Sequence, residues 1–298
     1  MRAVPDSVAR VPSPLLAVDA PSLLYRAFFA LPKTIVDSDG RPVNALLGAT
    51  NLVLRVLEEH PARAVVLCYG PDAATYRVAL YPPYHAERPP VPDELAPQFA
   101  AAESFFGAFG WYTEAHGELE ADDLLGSFAA AEREAGGEAL VLTGDRDLYQ
   151  CAGDGVTVLY VRTGAKGPEP VDAAEVRRRY GVPPELVPDF IALRGDPSDG
   201  LPGAKGIGEK RAADLLRRHG SLEATIAAAV RERPAAVSGA LRDGADLLRT
   251  FKEIATLQRV ELDRPPDRAT DLAGGAGAAR ALGMNRLAER LERAAERL

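Results

Sequence analysis

Eight carboxylates fall into four groups along the 298-residue sequence, at positions where apolar runs or glycine-marked loops end. They are Asp19, Glu120, Asp122, Asp123, Asp145, Asp147, Asp196 and Asp199. Taken singly, each is explained as well by a helix cap or a turn. Four such groups at four strand or loop ends are harder to explain in that way, so we expect the carboxylates to converge.

Converging carboxylates repel one another, and their natural counter-ion is a divalent cation. A ligand set made only of oxygen atoms selects Mg²⁺ or Mn²⁺ over zinc. Two such ions roughly 3.5–4 Å apart stabilise the attacking and leaving oxygens of an in-line phosphoryl displacement. The pattern therefore indicates hydrolysis of phosphodiester bonds.

A glycine-rich turn with basic neighbours lies downstream, in Gly200–Arg211. Gly203, Gly206 and Gly208 let the backbone turn tightly between two helices and expose N–H groups to an anionic phosphate. Between Lys205 and Arg218 five basic residues stand against two acidic ones, a local charge of +3 in a chain of net charge −8. The alternative is a plain helix turn with a solvated basic face.

Strand and helix patterns alternate through the first half of the chain. Apolar runs predict strands at Leu15–Val18, Ala64–Cys68, Ala139–Thr143 and Val156–Val161, and the spacing between them predicts helices at Asn44–Glu59, Pro97–Phe109 and Glu120–Ala135. This order favours an α/β fold with a parallel sheet covered on both faces, and catalytic groups belong beyond the carboxyl ends of such strands.

From about residue 172 the patterns are helical. We expect helices at 171–180, 184–193, 210–218, 221–230 and in the region 241–262, then a flexible break at Gly274–Gly277. The final helix carries an apolar stripe of Leu282, Leu287, Leu291 and Leu298. Residues 1–14 read as a loose tail, and seven prolines make Pro71–Pro97 a long, partly extended excursion.

The composition excludes several classes of protein. Net charge −8 rules out a polycation that binds nucleic acid by total charge alone. Two cysteines without a CxxC pair and four scattered histidines support neither a disulfide framework nor a zinc site. Because neither a membrane span nor a signal peptide is recognisable, we expect a cytoplasmic protein.

Several motifs together resemble the bacterial 5′–3′ exonuclease and flap endonuclease family, the nuclease found alone or at the N-terminus of DNA polymerase I. They are Val18-Asp19 with Leu23–Arg26, Pro42–Ala45, Glu120–Asp123, Leu142–Gln150, and Ala192–Asp199 running into the glycine turn. They span residues 15–225 in order.

The resemblance implies a PIN-like nuclease domain at residues 15–171, with an arch at 71–97, and a helical region at 172–298 with a helix–three-turn–helix (helix-hairpin-helix) element at 195–225. It also implies that the eight carboxylates bind, or orient ligands of, two Mg²⁺ or Mn²⁺ ions. Catalytic roles fall to Arg26, Arg88, Asp122 and Asp145. Contacts to DNA fall to Tyr25, Arg26, Tyr84, His85, Arg88, Gly203, Lys205, Gly206, Gly208, Lys210 and Arg211, with K⁺ at the hairpin.

The implied substrates are DNA with 5′ flaps or ends and RNA–DNA hybrids. A stand-alone, monomeric enzyme that works beside DNA polymerase I is the expected form. Alternatives are a weakened paralogue that binds branched DNA without efficient cutting, a PIN-type ribonuclease and an aspartate-nucleophile phosphatase. The hairpin, which suits duplex backbone, weighs against the ribonuclease.

Three positions depart from the family pattern. Gly70 stands where an acidic metal-site residue is usual, with Asp72 two residues on. His85 replaces a lysine of the arch, and Gly200 replaces an asparagine. From these departures we expect a raised requirement for Mg²⁺, and a gain of activity at low metal in Gly70→Asp if residue 70 tolerates a Cβ.

Overall fold

A six-stranded sheet forms the centre of the first half of the chain. In this computed structural model, which describes residues 13–162 and 167–297, the strands are β1 (Leu15–Asp19), β2 (Ala64–Tyr69), β3 (Tyr112–Ala115), β4 (Ala139–Thr143), β5 (Val156–Tyr160) and β6 (Glu169–Val171). Their order is β3-β2-β1-β4-β5-β6, with β1–β5 parallel and β6 antiparallel. The expected parallel sheet is present, with two short strands, β3 and β6, that the apolar runs did not predict.

Helices cover both faces of this sheet and form the region that follows it. They are α1 (Ala20–Ala30), α2 (Asn44–Glu59), α3 (Thr75–Leu80), α4 (Ala96–Gly107), α5 (Ala121–Glu134), α6 (Ala173–Tyr180), α7 (Val187–Arg194), α8 (Glu209–His219), α9 (Leu222–Ala227), α10 (Ala235–Asp243), α11 (Ala245–Ala255), α12 (Leu272–Ala281) and α13 (Asn285–Ala295). One apolar core joins the sheet to α5 and to the helices from α6 to α11. A second core joins its other face to α1, α2, α4, α12 and α13.

The central strand β1 positions the site. Leu15 to Val18 are fully buried because β1 pairs with β2 on one side and β4 on the other. The strand ends at Asp19, whose carboxylate caps α1 by accepting the Ser22 N–H at 3.0 Å. The carboxyl ends of β1, β2 and β4 therefore lie side by side at one edge of the sheet.

The predicted flexible break at Gly274–Gly277 is wrong, because these glycines lie inside α12. A Cβ on Gly275 would come within 2.4 Å of the Phe109 ring, and one on Gly274 within 2.3 Å of the Ala108 carbonyl oxygen. The glycines thus allow α12 to pack closely against the sheet domain.

The predicted helix through residue 262 is also too long. The chain leaves α11 at Thr256, and backbone N–H groups beyond it are bound by side chains instead. Leu257 N–H donates to Gln150 Oε1, Gln258 N–H to Asp123 Oδ1, and Val260 N–H to Ser127 Oγ.

Pro71–Pro97 contains α3 and a series of turns, so it is less extended than expected. Most of the predicted tail, together with Leu298 of the apolar stripe, lies outside the described residues. Among the described helices none is long and apolar enough to cross a membrane.

Candidate active site

A cavity of about 600 Å³ opens at the carboxyl edge of the sheet, beneath the segment that follows α3. Six of the eight predicted carboxylates line it: Asp19, Glu120, Asp122, Asp145, Asp147 and Asp199. Arg26 and Arg88 line it as well. The fold therefore brings together side chains from β1, α5, the loop after β4 and the loop after α7.

Asp19 is held by residues of two elements. Thr143 Oγ1 donates to Asp19 Oδ2 at 2.6 Å, and the Ser22 N–H donates to Oδ1. Burial nevertheless raises the pKa of this carboxyl, because the loss of hydration outweighs these hydrogen bonds and the nearby Arg26.

The neighbouring acids repel one another. Burial, and then the charges of Asp145, Asp19 and Glu120, raise the pKa of Asp122 well above its usual range. Burial and the charge of Asp199 raise the pKa of Asp145 to about 6. Asp147 has a strongly raised pKa for the same two kinds of reason. Such a group of buried oxygens with too little positive charge suits a divalent cation.

In the described part of the chain, no three of these acidic side chains converge closely enough to ligate one ion. Their oxygens are held apart by protein partners. Thr143 and Ser22 hold Asp19, while Arg88 Nη2 lies 3.0 Å from Asp199 Oδ1. Direct ligation of one ion by three of these side chains would require side-chain movement within the cavity, whereas Mg²⁺ is usually held by one or two carboxylates and waters.

Asp123 does not line the cavity, and its predicted role as a metal ligand needs correction. It is fully buried, and both oxygens accept from Arg77, at 2.7 and 3.1 Å. Asp123 Oδ1 also accepts the Gln258 N–H. Both oxygens are thus engaged by Arg77, and Asp123 fixes α5 against the segment that follows α11.

Glu120 lies at the junction between this buried pair and the cavity. Its Oε1 accepts the Ala74 N–H at 2.6 Å and lies 3.1 Å from Arg77 Nη1, and its Oε2 accepts the Tyr84 hydroxyl. These contacts orient the carboxylate.

Asp196 lies apart from the lining of the cavity. Its Oδ2 accepts from Arg194 at 2.8 Å and its Oδ1 accepts the Ser198 N–H at 2.9 Å. Backbone hydrogen bonds in both directions join Asp196 to Leu201. Asp196 therefore stabilises the loop that presents Asp199.

The arch residues lie folded over the acids. Tyr84 and His85 are buried, and their rings are stacked 3.8 Å apart. His85 Nδ1 lies 2.5 Å from the Asp72 carbonyl oxygen, and Nε2 lies 3.1 Å from Asp199 Oδ1. Tyr84, predicted to contact DNA, is buried with its hydroxyl on Glu120, and it also lines the cavity.

The structure explains two of the departures from the family pattern. A Cβ on Gly70 would lie 2.3 Å from the Leu119 carbonyl oxygen and 2.8 Å from the Ala121 nitrogen. Backbone occupies that space, so the condition on which the expected benefit of Gly70→Asp depended, room for a Cβ at residue 70, is not met. Asp72 does reach the rim of the cavity, where its Oδ1 lies 3.2 Å from Arg88 Nη1.

Gly200 has φ of +74°, and a Cβ there would lie 2.9 Å from the Pro83 carbonyl oxygen. The glycine therefore permits both the left-handed turn after Asp199 and the close approach of the arch.

Tyr25 and Arg26 belong to α1 and line the cavity. The Tyr25 ring packs edge-on against Phe99 at 5.6 Å. Arg26 Nη2 donates to the Gly144 carbonyl oxygen at 2.6 Å. Both predicted contacts to substrate are thus accessible from the cavity, because both line it.

The glycine turn connects α7 to α8. Gly203, with φ of +65°, packs so closely on the backbone of Gly195 that a Cβ would lie 2.3 Å from its nitrogen. Gly206 also has positive φ, and Gly208 precedes the first turn of α8. Lys205, Lys210 and Arg211 are exposed. The predicted hairpin therefore presents its cations to solvent.

Four residues that contribute to the site were not singled out from the sequence. Arg77 pairs with Asp123, Thr143 and Ser22 hold Asp19, and Gly144 accepts from Arg26. Thr143 and Gly144 precede Asp145 in the Leu142–Gln150 motif. This proximity was the sequence signal that could have identified them as site residues. Nothing in the sequence pairs Arg77 with an acid 46 residues away.

Solved nuclease structures share this fold. A 5′-exonuclease of bacteriophage T5 with zinc bound has a TM-score of 0.65 and 17% identity, covering 94% of this chain and 98% of the other. The catalytic core of Rad2 in complex with DNA substrate has a TM-score of 0.62 and 15% identity, covering 95% and 91%. This chain therefore has the fold of these two solved structures.

Two family models match the sequence of this chain. The model of the 5′-3′ exonuclease N-terminal resolvase-like domain matches residues 14–181, and that of the C-terminal SAM fold matches 182–270. The chain belongs to the 5′-3′ exonuclease family.

Curated relatives agree with this family. A 5′-3′ exonuclease of Streptomyces coelicolor is 39% identical, with 90% of this chain and 93% of the relative covered. A 5′-3′ exonuclease of Mycobacterium tuberculosis is 36% identical, with 96% and 99% covered. DNA polymerase I of that organism is 37% identical over 85% of this chain, which spans only 28% of the polymerase.

Proposed function

We propose that this chain is a metal-dependent 5′-3′ exonuclease and flap endonuclease that hydrolyses phosphodiester bonds in DNA, and in RNA primers, near single-strand/duplex junctions. The observation that carries the proposal is the cavity that gathers six carboxylates beside Arg26 and Arg88. It lies at the carboxyl edge of a parallel sheet, where such folds hold their catalytic groups.

The buried, mutually repelling acids fit two Mg²⁺ or Mn²⁺ ions. The proposed oxygen donors come from Asp19, Asp122, Asp145, Asp147 and Asp199, with Glu120 at the edge of the set. When bound, such ions would activate a water and stabilise the charge on the reacting phosphate. Asp123 and Asp196 are proposed as supporting residues, because Arg77 and Arg194 engage them.

The chain's own cations are proposed to bind the substrate. Arg26 and Arg88, which both line the cavity, would contact the scissile phosphate. The exposed Lys205, Lys210 and Arg211 would bind duplex phosphates beside the turn around Gly203, Gly206 and Gly208, with K⁺ as a further ligand of that turn. Tyr25 would face the nucleotide next to the cut.

The position of the arch affects how His85 and Arg88 would bind DNA. His85 and Arg88 both contact Asp199, so they lie over the acids. Both residues also line the cavity, so a contact with DNA there would compete with their contacts to Asp199. A paralogue too weak to cut is not favoured, because the carboxylates remain gathered despite Gly70.

The other parts of the proposal concern the substrates, the partner protein, the location, the oligomeric state and the domain limits. DNA with 5′ flaps or ends and RNA–DNA hybrids are the proposed substrates, DNA polymerase I the proposed co-worker, and a cytoplasmic monomer the proposed form. The domain limits at residues 171 and 172 also remain a proposal.

Cleavage of labelled substrates tests the function. Purified protein is incubated with a 5′-flap duplex, a matched 3′-flap duplex and a single-stranded RNA, in EDTA, Mg²⁺ or Mn²⁺. We expect metal-dependent release of the 5′ flap and intact 3′ flap and RNA. Tight flap binding without cutting would support the weakened paralogue, and preferential RNA cutting would support the ribonuclease.

A further inference from the structure

Ser22, in the first turn of α1, connects three parts of the cavity. Its Oγ accepts the Gly144 N–H at 3.2 Å and the Arg26 Nε–H in a longer contact of 3.4 Å. The Ser22 backbone N–H donates to Asp19 Oδ1 at 3.0 Å. A serine hydroxyl oxygen has two lone pairs, so the Gly144 N–H and the Arg26 Nε–H use its full accepting capacity.

Gly144 contributes by lacking a side chain. Its carbonyl oxygen accepts from Arg26 Nη2 at 2.6 Å. A Cβ at this position would lie 1.8 Å from Arg26 Nε and 2.3 Å from Cζ. The guanidinium therefore occupies the space that a side chain at residue 144 would take. Because the obstructing atoms belong to the far end of a flexible side chain, alanine at this position would displace Arg26 and leave the backbone in place.

We infer that Ser22 and Gly144 are positioning residues that hold the Arg26 guanidinium at the cavity before substrate binds. An arginine side chain has many rotamers, and ordering it in advance lowers the entropic cost of the contact it makes in the transition state. The inference rests on the proposed function, in which Arg26 contacts the scissile phosphate.

Single-turnover cleavage of a 5′ flap at saturating Mg²⁺ provides the first test. Loss of a hydrogen bond to a charged group, or displacement of that group, should slow Ser22→Ala and Gly144→Ala by roughly tenfold each. The exposed Ser104→Ala serves as the matched control and should cut at the wild-type rate.

The same rates in an Arg26→Ala background separate positioning from other roles. If both residues act through Arg26, neither substitution should slow that variant further. If Ser22→Ala or Gly144→Ala lowered the cleavage rate of the Arg26→Ala variant by a further factor, the inference would be overturned. For Gly144→Ala, the Mg²⁺ concentration that gives half the maximal rate should also stay unchanged, because this residue makes no contact with Asp19 that the substitution removes.

A measurement without catalysis completes the test. The ¹⁵Nε–¹H signal of Arg26 should shift, and its hydrogen exchange should quicken, in Ser22→Ala and Gly144→Ala but not in Ser104→Ala. An unchanged signal in the first two variants, with native circular dichroism, would refute the positioning role. If the wild-type protein cuts no flap, the proposed function fails, and this signal still decides whether the two residues hold Arg26.

Discussion

Replacing Asp145 by asparagine should stabilise the metal-free protein at alkaline pH. The folded state raises the pKa of Asp145 from 3.8 to about 6, chiefly by burial and the charge of Asp199. At about 1.36 kcal/mol per pH unit, keeping this group ionised costs the folded state about 3 kcal/mol. Asparagine removes the charge and keeps an oxygen that can accept the Asp147 N–H, which lies 2.8 Å from Asp145 Oδ1.

The pH dependence has a definite sign. A carboxyl with a raised folded-state pKa binds more protons in the folded than in the unfolded protein between about pH 4 and pH 6, so stability falls as the pH rises through that window. The gain from Asp145→Asn should therefore be near zero at pH 4 and complete by pH 8. With about 2.1 cal/mol/K of unfolding entropy per residue, 3 kcal/mol corresponds to a rise in Tm of about 5 °C.

Thermal unfolding followed by circular dichroism in EDTA measures this gain at pH 4 and pH 8. Asp154→Asn, at an exposed turn position, is the control and should leave Tm unchanged at both pH values. Equal Tm values for wild type and Asp145→Asn at pH 8 would refute the claim that the acids repel one another. A gain of the same size at pH 4 would mean that packing, rather than charge, is responsible.

Three further predictions address other parts of the structure. Gly70→Asp should lower the free energy of unfolding by at least about 1–3 kcal/mol in urea titrations, because its Cβ meets the backbone at Leu119, and unchanged stability would contradict the packing described. Arg77→Met should cost about 3–5 kcal/mol, since it leaves Asp123 buried without its cation, and the same titrations measure it. Lys205→Ala with Lys210→Ala should weaken duplex binding at all sequences and reduce the salt slope by up to about 0.9 log unit per lost phosphate contact, whereas an unchanged slope would place the duplex elsewhere.

Sequence patterns predicted the elements that local periodicity determines. Helix Asn44–Glu59 and strand Ala139–Thr143 have the predicted limits. Their apolar residues repeat with the periods of a helix and a buried strand, and the flanking residues change character abruptly. The gathering of carboxylates was also foreseeable, because strand ends in a parallel sheet share one edge.

Contacts between distant residues could not be predicted in the same way. The spacing of Glu120 and Asp123 places them on one helix face, but only the folded chain brings Arg77 to Asp123. The sequence around Gly274 and Gly275 is typical of a flexible break. The glycines are instead needed for close packing, and this depends on the position of Phe109 in another part of the chain. The burial of Tyr84 likewise depends on how the arch folds over Glu120.

The central claim is that the acids from β1, the start of α5, the loop after β4 and the loop after α7 form a divalent-metal centre. Titration with Mn²⁺, with free Mn²⁺ measured by electron paramagnetic resonance, tests this claim most directly at pH 8. We predict that the wild-type protein binds two ions and that Asp145→Asn loses at least one of them, while Asp154→Asn binds as the wild type does. Binding that is absent from the wild type, or unchanged in Asp145→Asn, would contradict the claim.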